Sequence, residues 1–188
     1  GTTWHEGVAV PPQAPGALGE RYLAGIATGL DGLRSQEDRL VAAGAVVRAA
    51  WSGGRSVFHA NLGHFEPARL LDAEPPRALR VLTGKDLAAD LRGAGQAGDA
   101  LLAVWYTEMP TALLQAARER GLRSVCILGR NPDDAARDPA LADVLLDAQW
   151  SIGDALLEVP GYDVRILPPS GVLNAALFYA AMAAAAAP

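Results

Sequence analysis

The chain has 188 residues, of which 51% are apolar, and its formal net charge is -5 at pH 7. This length and composition suffice for one domain with a sizeable core, and the negative charge argues against a surface built to bind nucleic acid or anionic lipid. The chain has one cysteine, Cys126, which cannot form an internal disulfide; this suits a reducing compartment, so we expect a cytoplasmic protein.

The N-terminal sequence GTTWHEGVAVPPQAPG is rich in proline and lacks the basic and apolar regions of a signal peptide. We predict that residues 1–16 form a leader and that residues 17–188 form a single domain. Two helix-like blocks follow between Ala17 and Trp51, and Ser35 is predicted to cap the second of them.

From residue 56 onward, strand-like and helix-like segments alternate. The predicted strands are Ser56 to Ala60 and the segments ALRVLTG, DALLAVWY, RSVCILG and ADVLLDA. The predicted helices are KDLAADLRG, then TALLQAARERG with Gly121 at its C-cap, and a last, alanine-rich helix with Ser170 as its N-cap. Continuous apolar strands such as ALLAV indicate a parallel, doubly wound α/β sheet that is covered on both faces.

The final segment, SGVLNAALFYAAMAAAAAP, is apolar mainly because of its alanines. Its uninterrupted apolar run is short for a bilayer, so we expect a close-packed helix and no membrane contact.

Ligands of open parallel sheets bind beyond the carboxyl ends of the strands, so the residues at these ends are the candidates for a site. In strand order, the ends run from Asn61 to Glu66, from Thr83 to Lys85, from Tyr106 to Glu108, from Gly129 to Asn131 and from Asp147 to Asp154. His64 is a site candidate because it follows Gly63 at a strand end, whereas His59 lies within the strand and is expected to be a satisfied core residue.

Two of these strand ends bear on an anionic ligand. Lys85 stands at a predicted helix start, where its charge opposes the helix dipole, and this favours an anionic partner. Thr107 is predicted as an N-cap and Glu108 as a first-turn acid, which would repel a phosphate at that helix start. The sequence has no P-loop, no dinucleotide fingerprint and no clustered metal ligands, so we expect neither a metal nor a cofactor.

Several strings resemble the SIS (sugar isomerase) family, in particular small phosphosugar-binding proteins related to phosphoheptose isomerases. HANLGHF is similar to the family's first motif, and GDALLAVWYTEMPTALLQAARERGLRSVCILG to its second, a strand, a serine-rich loop and a helix. LADVLLDAQWSIGDALLEVPGYDVRILPPSGVLNAALF resembles the closing segment of the family. The loop from Trp105 to Thr111 departs from the second motif, because it has two hydroxyl side chains, no glycine and fewer residues.

The resemblance implies a three-layer sandwich with a five-stranded parallel sheet, as in flavodoxin-like folds, preceded by two helices. It also implies a homodimer or homotetramer that binds a sugar phosphate at the strand ends. By position, His64 and Glu66 would be the acid and base of an aldose-ketose isomerisation. The predicted ligand-binding residues are Asn61, Gly63, Thr83, Lys85, Tyr106, Thr107, Thr111, Asp154 and Ser170.

Three hypotheses remain open at this point. The first is a protein that binds a sugar phosphate or a related small anionic carbohydrate, with or without isomerase activity. The second is a non-catalytic, oligomeric binding or regulatory module whose phosphate loop has degenerated. The third is a site in which Trp105, Tyr106 and Trp150 stack on a ring-shaped ligand.

Overall fold

The computed structural model describes residues 11–63, 66–70, 78–134 and 138–187. In these ranges the helices are α1 (Ala17–Leu33), α2 (Glu37–Ser52), α3 (Leu87–Ala94), α4 (Thr111–Glu119) and α5 (Ser170–Ala186). The strands are β1 (Val57–Asn61), β2 (Leu79–Val81), β3 (Ala100–Val104), β4 (Arg123–Arg130) and β5 (Val144–Ser151). Short 3-10 helices span Arg34–Gln36, Pro67–Leu70 and Pro139–Leu141.

The strands form one parallel sheet in the order β2-β1-β3-β4-β5. Val57 at the start of β1 pairs with Leu79 of β2 on one side and with Ala100 of β3 on the other. The strand order therefore reverses between β1 and β3, which is the position where open α/β sheets bind ligands. The predicted α/β fold, with two helices before the first strand, is confirmed.

Each face of the sheet carries its own apolar core. In β3, Leu102 and Val104 face the core beneath α2 and α5, while Leu101 and Ala103 face the core beneath α3 and α4. Helix α1 lies on the first of these faces, against β5 and α5. The continuous apolar strands thus have the two-sided burial that the sequence predicts.

Helices α2 and α5 approach each other closely because small residues meet at their contact. A Cβ atom added to Gly44 of α2 would lie 2.6 Å from the Cβ of Ala184 in α5. The prediction of a close-packed alanine-rich helix is confirmed. Among the described residues, no helix combines the length and apolarity needed to cross a bilayer.

Two of the predicted N-cap residues were wrong. Helix α2 has Gln36 as its N-cap, and the Ser35 hydroxyl donates instead to the carbonyl of Gly32. Helix α4 begins at Thr111, as the predicted segment TALLQAARERG does, but its N-cap is Pro110 and not Thr107. Glu108 is therefore not a first-turn acid of α4.

The other predicted helix ends lie within one or two residues of the observed ends. Ser170 is the first residue of α5, with Pro169 as the N-cap. Lys85 lies just before Asp86, which caps α3. Gly121 follows the last turn of α4 with φ of 74°, the left-handed conformation that glycine adopts without strain.

Candidate functional site

An open cleft of about 870 Å³ lies where β1, β2 and β3 end, at the reversal of strand order. This is the size range of small-molecule sites. Its walls come from the segments that follow β1, β2 and β3 and from the first turn of α4. The lining residues are Asn61, Leu62, Leu82, Thr83, Gly84, Lys85, Asp86, Leu87, Ala88, Trp105, Met109, Pro110, Thr111, Ala112 and Leu113.

Four of the predicted ligand-binding residues are brought together by this cleft. They are Asn61, Thr83, Lys85 and Thr111, which supply an amide, two hydroxyls and an ammonium group. Lys85 is exposed, and it is the one lysine in the sequence. The cleft therefore offers hydrogen-bonding groups suited to hydroxyl groups together with an exposed positive charge.

Asp86 also lines the cleft, but its carboxylate has a structural role. Its Oδ1 accepts the amide N–H of Ala89 at 3.0 Å and thereby caps α3. Such a cap satisfies one of the amides that a helix start leaves without an intrahelical acceptor. The negative charge of Asp86 remains beside Lys85 in sequence and partly offsets it.

The N-terminal end of α4 also lines the cleft, and unlike that of α3 it has no side-chain cap. Pro110 is its N-cap, no side chain caps it, and its first turn contains no acidic residue. Thr111, Ala112 and Leu113 of this turn line the cleft. Backbone amides at a helix N-terminus carry partial positive charge and bind anions, so this wall complements Lys85.

The lining also contains apolar side chains and one aromatic ring. Trp105 lines the cleft, and its indole is partly exposed, whereas exposed Glu108 is not among the lining residues. Tyr106 points to the other face of the sheet, where its ring centroid lies 4.9 Å from that of Trp150. The structure therefore does not combine Trp105, Tyr106 and Trp150 in a single aromatic site.

A carboxylate that the sequence analysis missed contacts the loop before α4. Oδ2 of Asp134, in the segment after β4, accepts the amide N–H of Met109 at 3.0 Å. Asn131 orders this segment, because its Oδ1 accepts the amide N–H of Asp133 at 3.0 Å. The local sequence could not show which amide the carboxylate of Asp134 would reach.

Tyr106, Asp154 and Ser170 lie on the α5 side of the sheet, away from the cleft lining. Asp154 accepts the amide of Ser170 at 3.0 Å and its hydroxyl at 2.6 Å. Burial raises the pKa of the Tyr106 phenol, and the negative charge of Asp154 raises it further. The hydrogen bonds between Asp154 and Ser170 cap the start of α5. That either residue binds a ligand stays a prediction.

Of the two predicted acid-base residues, the structure describes Glu66. Glu66 accepts the amide N–H of Ala68 at 3.0 Å and contacts Nε2 of His59 at 2.8 Å. His59 is fully buried with both ring nitrogens in hydrogen bonds, which confirms it as a core residue. His64 lies outside the described residues.

The remaining predicted residues, Gly63 and Thr107, are not among those that line the cleft. The amide N–H of Gly63 donates to Oδ1 of Asn61 at 3.0 Å, which orders the turn after β1. Thr107 is buried within the loop that precedes α4.

No protein-family profile matches the sequence, and no curated protein matches it. Solved structures do match. The sugar isomerase domain of an RpiR transcription factor from Sphaerobacter thermophilus is 17% identical over 93% of this chain and 90% of that chain, with a TM-score of 0.57. A phosphoheptose isomerase from Francisella tularensis is 11% identical over 92% and 97%, with a TM-score of 0.62.

A phosphoheptose isomerase from Neisseria gonorrhoeae is 18% identical over 88% of this chain and 97% of that chain, with a TM-score of 0.55. The chain thus has the fold of the sugar isomerase (SIS) domain, and the resemblance found in the sequence is confirmed as a resemblance of fold.

Proposed function

We propose that the cleft at the ends of β1, β2 and β3 binds a sugar phosphate or a related small anionic carbohydrate. The observation that carries this proposal is the convergence of Lys85, Thr83 and the uncapped start of α4 on one cleft at the reversal of strand order. Lys85 and the α4 amides would hold the anionic group. Asn61, Thr83 and Thr111 would bond the sugar hydroxyls, and Trp105 would contact an apolar face of the ring.

The similar structures support the same kind of ligand without defining a reaction. They include both named isomerases and a domain of a transcription factor, and an SIS fold is what these proteins share. Binding of a carbohydrate derivative is therefore the function that fits both groups, whereas isomerisation fits one of them.

A non-catalytic binding module is the second candidate, and the composition of the cleft favours it. In the described part of the lining, the titratable side chains are Lys85 and Asp86, and Asp86 caps α3. An isomerase needs a group that takes a proton from the sugar carbon. His64 and Glu66 remain the residues proposed for that step, with Glu66 already bonded to His59.

Because Lys85 is the one lysine of the chain, chemical protection tests the site directly. The protein would be treated briefly with an amine-acetylating reagent, with and without glucose 6-phosphate, glucuronate or glucose, and digested for mass spectrometry. We expect at least one of the anionic sugars to slow acetylation of Lys85 and neutral glucose to protect less. A lysine-containing peptide added to every reaction provides the control for reagent activity.

Thermal unfolding with the same three sugars gives an independent measure of binding. A ligand at a hundred times its Kd adds about 2.7 kcal/mol to the free energy of unfolding. Lys85→Met should lose most of the stabilisation by the anionic sugars, while Arg34→Met, which removes an exposed charge in the 3-10 helix after α1, should retain it. If neither anionic sugar protects Lys85 or stabilises the protein, the proposed function is wrong.

A further inference from the structure

Asp134 places a negative charge beside the loop that leads into α4, whose first turn is proposed above to hold the anion of the ligand. Its carboxylate is bonded to the amide of Met109, which itself lines the cleft and lies two residues before the first residue of α4. An amide in this loop that could have bound an external anion therefore already has an acceptor from its own chain.

Among the described residues, the formal side-chain charges of Lys85, Asp86 and Asp134 do not sum to the positive value that a phosphate would favour. Lys85 contributes one positive charge, while Asp86 and Asp134 each contribute one negative charge. A phosphate monoester carries a charge between about -1.5 and -2 at pH 7, whereas a sugar carboxylate carries a single charge. Repulsion by Asp134 scales with the charge of the ligand, so it penalises the phosphate more.

We infer that Asp134 determines the charge class of the ligand, so that the cleft prefers a carbohydrate with one negative charge, such as a sugar carboxylate, over a doubly charged sugar phosphate. This inference rests on the proposed function, since it concerns the ligand of the same cleft. Lys85 and the α4 amides attract either anion, and Asp134 sets the upper limit on the charge that they accept.

The variant Asp134→Asn separates the charge of this side chain from its hydrogen bond. The amide oxygen of asparagine can accept the N–H of Met109 as the carboxylate does, so the loop keeps its contact while the charge is removed. Asp133→Asn is the matched control, because it removes the same charge from the neighbouring, exposed position. A general loss of structure would lower affinity, whereas the inference requires Asp134→Asn to raise it.

The experiment measures the Kd values of glucose 6-phosphate and glucuronate by titration calorimetry for the natural chain and both variants. We expect the natural chain to bind glucuronate more tightly. Asp134→Asn should strengthen glucose 6-phosphate binding about three- to tenfold, and glucuronate binding by roughly the square root of that factor. Asp133→Asn should change both values by less than about twofold, and added salt should reduce the difference between the two variants.

The outcomes separate this inference from the proposed function on which it rests. If both sugars bind and Asp134→Asn leaves the ratio of their Kd values unchanged, Asp134 does not select by charge and the inference alone is overturned. If the natural chain already prefers glucose 6-phosphate, the inference is likewise overturned while the proposed function stands. If neither sugar binds the natural chain or Asp134→Asn, the proposed function fails and the inference with it.

Discussion

Oε1 of Glu66 lies 2.8 Å from Nε2 of His59, whose imidazole is fully buried in β1. Nδ1 of the same ring lies 2.9 Å from the carbonyl oxygen of Leu102, which can only accept, so Nδ1 carries a proton. The Glu66 oxygen also accepts the amide N–H of Ala68. The hydrogen bond between Nε2 of His59 and the carboxyl group of Glu66 therefore requires one further proton. This contact links the segment after β1 to the sheet.

Replacing Glu66 with alanine should destabilise the fold. The substitution leaves Nε2 of His59 buried without its partner, and such an unsatisfied polar group costs about 1–3 kcal/mol. Urea denaturation, followed by circular dichroism, should show a lower midpoint at an unchanged slope. Glu108→Ala removes an exposed carboxylate elsewhere and should change stability by less than about 0.5 kcal/mol. Equal midpoints for the two variants would contradict a structural role for the contact between Glu66 and His59.

The contact between α2 and α5 should not tolerate a methyl group at Gly44. A Cβ there would lie 2.6 Å from the Cβ and 2.7 Å from the backbone carbonyl carbon of Ala184, so the helices must separate. We expect Gly44→Ala to cost about 1–3 kcal/mol, the usual range for an overpacked core, although alanine is the better helix former. The free energy of unfolding in urea measures this cost.

Gly19 provides the matched control for that substitution. It lies in α1, and nothing lies within 4 Å of a Cβ added to it. Gly19→Ala should therefore stabilise the protein by up to about 1 kcal/mol, because helix propensity acts alone. A destabilisation of the same size in both variants would show that packing against Ala184 is not the cause.

The architecture could be predicted from the sequence because the strands and helices have strong, separate patterns. ALLAV and VCIL are too apolar for a one-sided sheet, and α4 has a clear apolar stripe that ends before Gly121. Helix starts were less predictable, because more than one residue near each start can cap a helix. Thr107 had the better side chain for a cap of α4, but Pro110 fixed the start three residues later.

The candidate site was predictable in part, for a physical reason. Residues such as Asn61, Thr83 and Lys85 follow strands, and the ends of parallel strands meet at one edge of the sheet. The face on which each side chain lies could not be read from the loop, so Trp105 and Tyr106 were grouped although they lie on opposite faces. The contact of Asp134 with Met109 joins two loops, and no local pattern encodes it.

The interaction of Asp154 with Ser170 should support the fold and leave the cleft unaffected. Asp154→Ala removes the acceptor of both the amide and the hydroxyl of Ser170, and it also places alanine at a φ of 44°. Ser170→Ala removes the hydroxyl bond alone. We expect Asp154→Ala to lower the free energy of unfolding by about 2–4 kcal/mol and Ser170→Ala by about 1 kcal/mol.

Calorimetry with glucuronate tests the same two residues as ligand contacts. If Asp154 and Ser170 only cap α5, Ser170→Ala should bind glucuronate with a Kd within about twofold of that of the natural chain. The variant should remain folded, because its loss in the free energy of unfolding is far smaller than the total free energy of unfolding. A loss of binding by tenfold or more in Ser170→Ala, at a temperature where it remains folded, would instead assign Ser170 to the ligand.

The phenol of Tyr106 should titrate above its ordinary pKa of 10.0. Burial disfavours the phenolate, and the negative charge of Asp154 disfavours it further, so both causes raise the pKa. Tyr106 is then still protonated in the folded chain at a pH where it has ionised in the unfolded chain. Its contribution to stability is therefore complete below about pH 10 and is lost as the pH rises through the raised pKa.

The difference in phenolate absorbance between the natural chain and Tyr106→Phe isolates this titration from those of the other tyrosines. Asp154→Asn should move the midpoint downward but not back to 10.0, because burial is the larger cause and persists. Asparagine also tolerates the left-handed backbone at this position, so the fold is retained for the measurement. A midpoint that returns fully to 10.0 in Asp154→Asn would mean that charge, rather than burial, raises the pKa of Tyr106.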